Sequence, residues 1–180
     1  MKALKEWASI VCALEEGTQT VLLRKGGIHD TPSGFREECS TFLLFPTYEH
    51  QRKEHLEDAS IEYDAKSIAR APPDKTIRIT SVAKVLCGAD VDLNIIDKLS
   101  EFHIWSDLFI HERQRWMPQR PMRAIFLKVS TIKPIEIPNM SEYSGCKSWL
   151  EINSNPEIIS HALDSEIMAT KLEKFEDIVS

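Results

Sequence analysis

Leu22-Leu23-Arg24-Lys25-Gly26-Gly27-Ile28, then Phe42-Leu43-Leu44-Phe45-Pro46-Thr47, then His50-Gln51: the stretch from Leu22 to Gln51 decides how this chain is read. Two apolar runs flank a loop rich in Gly, Ser, Thr and charge, and polar groups stand where each run stops. Short apolar runs bounded by glycine and proline read as buried strands. Strands ending in Arg24-Lys25 and near His50-Gln51 carry those groups to the rim of a sheet, where rigid elements present binding residues.

On either side of it, Leu4, Trp7, Ala8, Val11 and Leu14 recur at helical spacing, with Gly17 as a stop, and predict a helix over Ala3–Glu16, with a strand left open by the β-rich Ile10-Val11-Cys12. Gln19–Arg24 and Thr41–Phe45 are strands, and Tyr48–Leu56 opens a helix. Glu57–Asp74 is charged, ends in Ala71-Pro72-Pro73-Asp74, and reads as a surface excursion or a short helix. Thr76–Leu86 is a β-branched strand with a bulge near Ser81, turned by Cys87-Gly88-Ala89-Asp90. Asp92–Phe102 and Ile104–Trp116 are helices, stopped by Met117-Pro118 and Pro121. Arg123–Ile132 is a strand, continued by Ile135–Ile137. Asn155-Pro156-Glu157 has the composition of a helix start, and an apolar stripe from Ile159 to Phe175 follows it.

The 180 residues suit one domain with an appendage, and 42% apolar content supports a real core. The formal charge of -6 is uneven: 19 basic and 19 acidic residues precede Ile135, while 3 basic and 9 acidic residues follow. Arg113–Lys133 holds six cations, Arg113, Arg115, Arg120, Arg123, Lys128 and Lys133, with no acid. A basic segment next to an acidic tail is a usable asymmetry. Cys12, Cys39, Cys87 and Cys146 are scattered and form no Cys-x-x-Cys pair, which reads as reduced thiols. The amino terminus lacks a secretory apolar core, and no apolar run approaches the roughly 20 residues of a membrane span. The expectation is a soluble, cytoplasmic protein.

Lys25-Gly26-Gly27 after a strand suits a phosphate, because two glycines permit close backbone approach beside the charges of Arg24 and Lys25. It is neither a Walker loop nor a dinucleotide fingerprint. His50 and His55 are five apart, about 140° out of phase on a helix, with Arg52 and Lys53 between them. No metal and no cofactor are expected. No Gly-x-Ser-x-Gly elbow is present. A two-metal nuclease would use Asp30 with an acid-x-Lys on the next strand, and Glu49-His50-Gln51 lacks that lysine. Trp105 and Trp116 both read first as core. Trp116, between Arg115 and Met117, has the composition that stacks a base and neutralises phosphate.

The run Ala3-Leu4-Lys5-Glu6-Trp7, the two apolar runs with His50-Gln51, then Arg115-Trp116 and Arg120-Pro121 through Leu127-Lys128-Val129, resembles the prokaryotic domain-of-unknown-function family number eighteen-oh-two. The resemblance covers Ala3 to Pro138 and implies no established activity. The order of elements is also similar to the PUA-like barrels, which include the ASCH and EVE domains. That likeness implies a small, partly open barrel with helices over its openings and a cleft for RNA or modified bases. Of the ASCH pattern Gly-x-Lys-x-x-Glu-x-Arg, only Gly17 and Arg24 match.

The reading is therefore an α+β domain over 3–139, with a curved mixed or antiparallel sheet in a PUA-like partly open barrel, covering helices, and a loop and acidic helical tail over 140–180. The tail is expected to be peripheral, and self-association through its helix is left open. The expected site residues are Arg24, Lys25, Gly26, Gly27, His50, Gln51, Arg115 and Trp116. The expected function is binding of RNA or DNA, as single strands or modified bases. Alternatives are a phosphodiester or nucleotide hydrolase using Asp30, Glu49 or His50 as acid and base, and an interaction component without catalysis. Whether the protein is an enzyme stays open.

Overall fold

The computed structural model describes residues 1–25, 37–73, 75–145 and 147–180. Strands β1 (Lys2–Trp7), β2 (Val21–Arg24), β3 (Thr41–Thr47), β4 (Thr76–Val91), β5 (Met122–Pro138), β6 (Trp149–Glu151) and β7 (Ile158–His161) form one sheet. Helices α1 (Ala8–Glu15), α2 (Glu62–Ala69), α3 (Leu93–Lys98), α4 (Asp107–Arg115) and α5 (Ser165–Val179) accompany it. The strand order is β2-β5-β4-β3-β1-β6, with β7 added to β5. β1 and β3 pair in parallel and every other pairing among these strands is antiparallel, so the sheet is mixed. It does not close into a barrel: β2 and β6 are the ends of the order.

The sheet is buried on both faces. Leu4, Phe42, Leu44, Ile125 and Leu127 belong to the larger core with α1, Phe102 and Phe175. Ala3, Leu43, Phe45, Ile79 and Ile132 belong to a smaller core on the other side. Adjacent residues such as Ala3 and Leu4 are thus both fully buried, because their side chains enter different cores.

This explains the first correction. The helix expected over Ala3–Glu16 is half strand: Lys2–Trp7 is β1, and only Ala8–Glu15 is helical. A double-sided strand shows no alternation, and its apolar residues merge with the stripe of the next helix. The expected helix over Tyr48–Leu56 is a loop ending in a single 3-10 turn at Lys53–His55. The turn expected at Cys87–Asp90 lies within β4, which pairs with β5 out to Val91. Gly88 lies within that pairing, where an added Cβ would stand 2.6 Å from Glu37 Oε1 and 2.8 Å from Arg123 Nη2, two flexible side-chain ends that would have to shift. The bulge expected near Ser81 is present as a register shift between Ile79 and Ser81.

The residues after Asn139 were expected to be a loop and a peripheral helical tail. They carry two strands as well as a helix. β6 pairs with β1, and β7 pairs with β5. The helix start expected at Asn155-Pro156 is extended chain leading into β7, and α5 begins nine residues later, with the Asp164 carboxylate accepting from the N–H groups of Glu166 and Ile167. Phe175 on α5 is fully buried, with ring centroids 5.3 Å from Phe126 and 6.1 Å from Phe102. Gly17, with φ +74, is pressed against Leu163, whose Cδ2 would lie 2.6 Å from an added Cβ. The tail is acidic on its outside, while Met168 and Phe175 of its apolar stripe enter the core. No helix among the described residues is long and apolar enough to cross a membrane.

Deleting residues 153–180 is therefore expected to abolish cooperative unfolding, and Phe175→Ala alone is expected to cost about 3–5 kcal/mol. Urea melts followed by circular dichroism measure both. A truncated chain melting cooperatively near the full-length midpoint would refute an integral tail.

Candidate functional site

β1, β2 and β3 end at Trp7, Arg24 and Thr47, and these residues line one cleft of about 520 Å³. Three more segments complete it: Glu49 and His50 after β3, Phe109 and Arg113 on α4 with Trp116 just beyond, and Gly145, Lys147 and Ser148 before β6. The cleft lies where the two ends of the open sheet approach each other. Arg24, the last residue of β2, reaches across that gap. Its Nη1 donates to Glu6 Oε2 at 3.1 Å and to the Lys5 carbonyl at 3.3 Å, and its Nη2 donates to Ser148 Oγ at 3.2 Å. Glu6 is 5% exposed, and its Oε1 accepts from the Trp7 N–H at 2.9 Å. A carboxylate so buried needs a charged partner, and Arg24 supplies it.

The aromatic wall is continuous. Trp105 and Phe109 stack at 3.8 Å with an interplanar angle of 10°. Trp7 meets Trp105 edge-on at 5.1 Å and stacks on His55 at 5.7 Å. His55 Nε2 lies 3.0 Å from Glu112 Oε2, but the pair is out of line for a hydrogen bond. Arg113 sits among these rings, its Cζ 5.1 Å from the Phe109 centroid and 5.9 Å from that of Trp116. Among the described residues it has no hydrogen-bond or ion-pair partner. Burial, then the neighbouring Arg24 charge, pulls its pKa below the ordinary arginine value.

Charge in the cleft is strongly biased. Lys5, Arg24, Lys25, Arg113 and Lys147 face Glu6 and Glu49. Lys5 Nζ donates to the carbonyls of Tyr143 and Gly145 at 2.8 and 3.0 Å. Lys25 Nζ donates to the Gln114 carbonyl at 2.9 Å, closing the C-terminal end of α4, and burial lowers its pKa. Among the described residues, Lys5, Lys25, Arg113 and Lys147 have no carboxylate partner. The basic patch expected from Arg113–Lys133 is dispersed: Arg113 lines the cleft, whereas Arg123 is held on β5 by Glu37 and Asp90.

Four of the residues singled out in the sequence converge here: Arg24, Lys25, His50 and Trp116. His50 adopts φ 61, and Met117 beside Trp116 adopts φ 49. Left-handed backbone at His50, which lines the cleft, is strain of the kind found at ligand sites. Gly26 and Gly27, and Asp30 of the hydrolase alternative, lie outside the described residues. Arg115 is exposed and is not among the residues lining the cleft. Gln51 serves the fold instead. Its Oε1 accepts from the Ser9 N–H at 3.0 Å at the start of α1, and its Nε2 donates to Asp64 and Ser67 on α2. Among the described residues no group of three or more His, Cys, Asp or Glu could hold a metal ion.

Glu6, Trp7 and Lys147 were not singled out as site residues from the sequence, and Arg113 was named only as one of six cations in a basic segment. The signal for Arg113 was its spacing of four from Phe109, which puts both on one face of α4. Trp7 was hidden by the mistaken helix, and Lys147 and Glu6 had no local signal.

The family described as a domain of unknown function (DUF1802) matches residues 3–174. The match runs beyond Pro138, where the resemblance read from the sequence stopped, and takes in most of α5. A search of curated proteins finds no match. The chain is similar to the crystal structure of ASCH from Zymomonas mobilis, at 14% identity over 99% of this chain and 95% of that one, with a TM-score of 0.46. Two substituted forms of that protein match at 13% identity over 96% of this chain, one covered over 93% with a TM-score of 0.44 and the other over 95% with 0.42.

Behind the aromatic wall, His103 is 4% exposed and its Nδ1 accepts from the Trp105 N–H at 3.2 Å, which helps to fix Trp105. Burial depresses its pKa to about 4, with Asp107 opposing. The unfolded chain, with histidine near 6.5, binds the proton first as pH falls. The neutral imidazole's contribution is thus intact above pH 6.5 and lost as pH falls from 6.5 to 4, by about 3 kcal/mol at most. Urea midpoints measured across that range should decline, and His103→Asn should remove this part of the slope. An unchanged slope in the variant would place the titration elsewhere.

Proposed function

The chain belongs to this family of unknown function, and from its cleft we propose a nucleic-acid- or nucleotide-binding module that takes single-stranded or unstacked bases. The observation that carries the reading is Arg113, a largely buried guanidinium between two aromatic rings with no hydrogen-bond or ion-pair partner among the described residues. A partly buried cation with no direct partner among them, eased only by the more distant charges of Glu6 and Glu112, favours an anion that arrives later. Lys5, Lys25 and Lys147 add uncompensated field, and Trp7 and Trp116 offer planar surfaces. Phosphate beside a flat ring is the ligand chemistry that answers both features.

The roles follow from what each group already does. Arg113 takes the phosphate, and Trp116 stacks. Arg24 is committed to Glu6 and Ser148, so it shapes the cleft and contributes charge. Lys25 keeps its ammonium on the Gln114 carbonyl and acts through its field. His50 stands at the rim with polar atoms for a base edge or sugar.

Arg113→Met keeps the bulk and removes the charge. It is expected to weaken binding of a fluorescent single-stranded oligonucleotide by about tenfold or more, to reduce the salt dependence of binding, and to leave the melting temperature unchanged or raised. Anisotropy at two salt concentrations and thermal melts measure these. Unaltered binding together with a lowered melting temperature would make Arg113 structural and refute the reading.

A further inference from the structure

The main cleft does not end at Trp116. A second cavity of about 500 Å³ adjoins it, and the two share Trp7, His50, Phe109, Arg113 and Trp116. The second is completed by Arg52, His55 and Glu112. Arg113 and Trp116 therefore stand as a partition common to two lobes, and each lobe has the volume of a small-ligand site. Each lobe also has its own outer cation, Lys147 in the first and Arg52 in the second. Arg52 is 55% exposed, and its one ion pair among the described residues is a loose contact of 3.6 Å with Glu54. It is free to turn toward a ligand.

We infer that the site takes a continuous single strand, with at least two consecutive nucleotides placed one in each lobe and the linking phosphate on Arg113. This rests on the nucleic-acid reading above and goes further, because a mononucleotide would satisfy one lobe only. The geometry follows from the repeat of the polymer. A nucleic-acid strand alternates ring and phosphate, and the groove alternates lobe, Arg113 and lobe. Trp116, on the partition, offers its ring to a base. His50, which also lines both lobes, is held in a left-handed conformation at the same partition.

The experiment compares adenosine monophosphate with a single-stranded hexa-adenylate by tryptophan quenching, on the full chain and on Arg52→Ala. Arg52 is exposed and outside the core, so the variant is expected to fold. The hexanucleotide should bind at least about tenfold tighter than the mononucleotide. Arg52→Ala should weaken the hexanucleotide several-fold and the mononucleotide by clearly less. Equal affinity for both probes, or an equal loss on both in the variant, would overturn the two-lobe strand site while sparing a nucleotide site. Absence of binding by either probe would overturn both readings. A polyglutamate of matched charge binding as tightly as the hexanucleotide would overturn the strand in favour of an acidic peptide.

Discussion

The buried ion pair between Arg24 and Glu6 is the interaction on which the site depends. An open curved sheet has two end regions that nothing in its ladder holds together. Here β2 lies at one end of the order, and β1 and β6 lie at the other. Arg24 joins them through Glu6, the Lys5 carbonyl and Ser148. Removing either charge would leave the other buried and uncompensated, a loss typically of about 3–5 kcal/mol. The same pair fixes Trp7, whose N–H is held by Glu6 Oε1 at 2.9 Å, and so sets the floor of the aromatic wall.

The wall and the charge are built by α4 against that floor. Trp105 precedes the helix, Phe109 and Arg113 share one face of it, and Trp116 ends it. Lys25 ties its last turn to the end of β2. The acidic residues of a chain with formal charge -6 are largely deployed elsewhere. Glu15 and Glu16 meet Arg70 and Lys66 at the α1–α2 contact, and Glu37 and Asp90 meet Arg123. Among the described residues, what remains unpaired in the cleft is positive apart from Glu49. A low-dielectric concavity focuses that charge, so a locally cationic site can sit in a net acidic protein.

Much of the fold was legible where apolar runs were short and bounded. β2, β3, β4 and β5 were found from β-branched runs and their glycine or proline stops, and α4 from its aromatic spacing. β1 and β7 were misread for different reasons. β1 is apolar toward two cores and shows no period-2 signal. β7 is exposed at all four residues and follows a proline that usually opens a helix, so only its partner β5 makes it a strand. The tail was judged by its charge, although its apolar stripe is what docks.

Local composition was enough for the α+β class, for the family, and for placing Arg24 and Lys25 where a strand stops, because these rest on short stretches and on where apolar runs end. Only the tertiary structure decided that Gln51 caps α1, that Arg115 stays outside while Arg113 enters, and that Glu6 is the partner of Arg24. The physical reason is common to all three. A polar side chain's role depends on which distant group satisfies it, and Gln51 and Ser9 are 42 residues apart in the chain while Arg24 and Ser148 are 124 apart. No window along the sequence contains both members of such a pair.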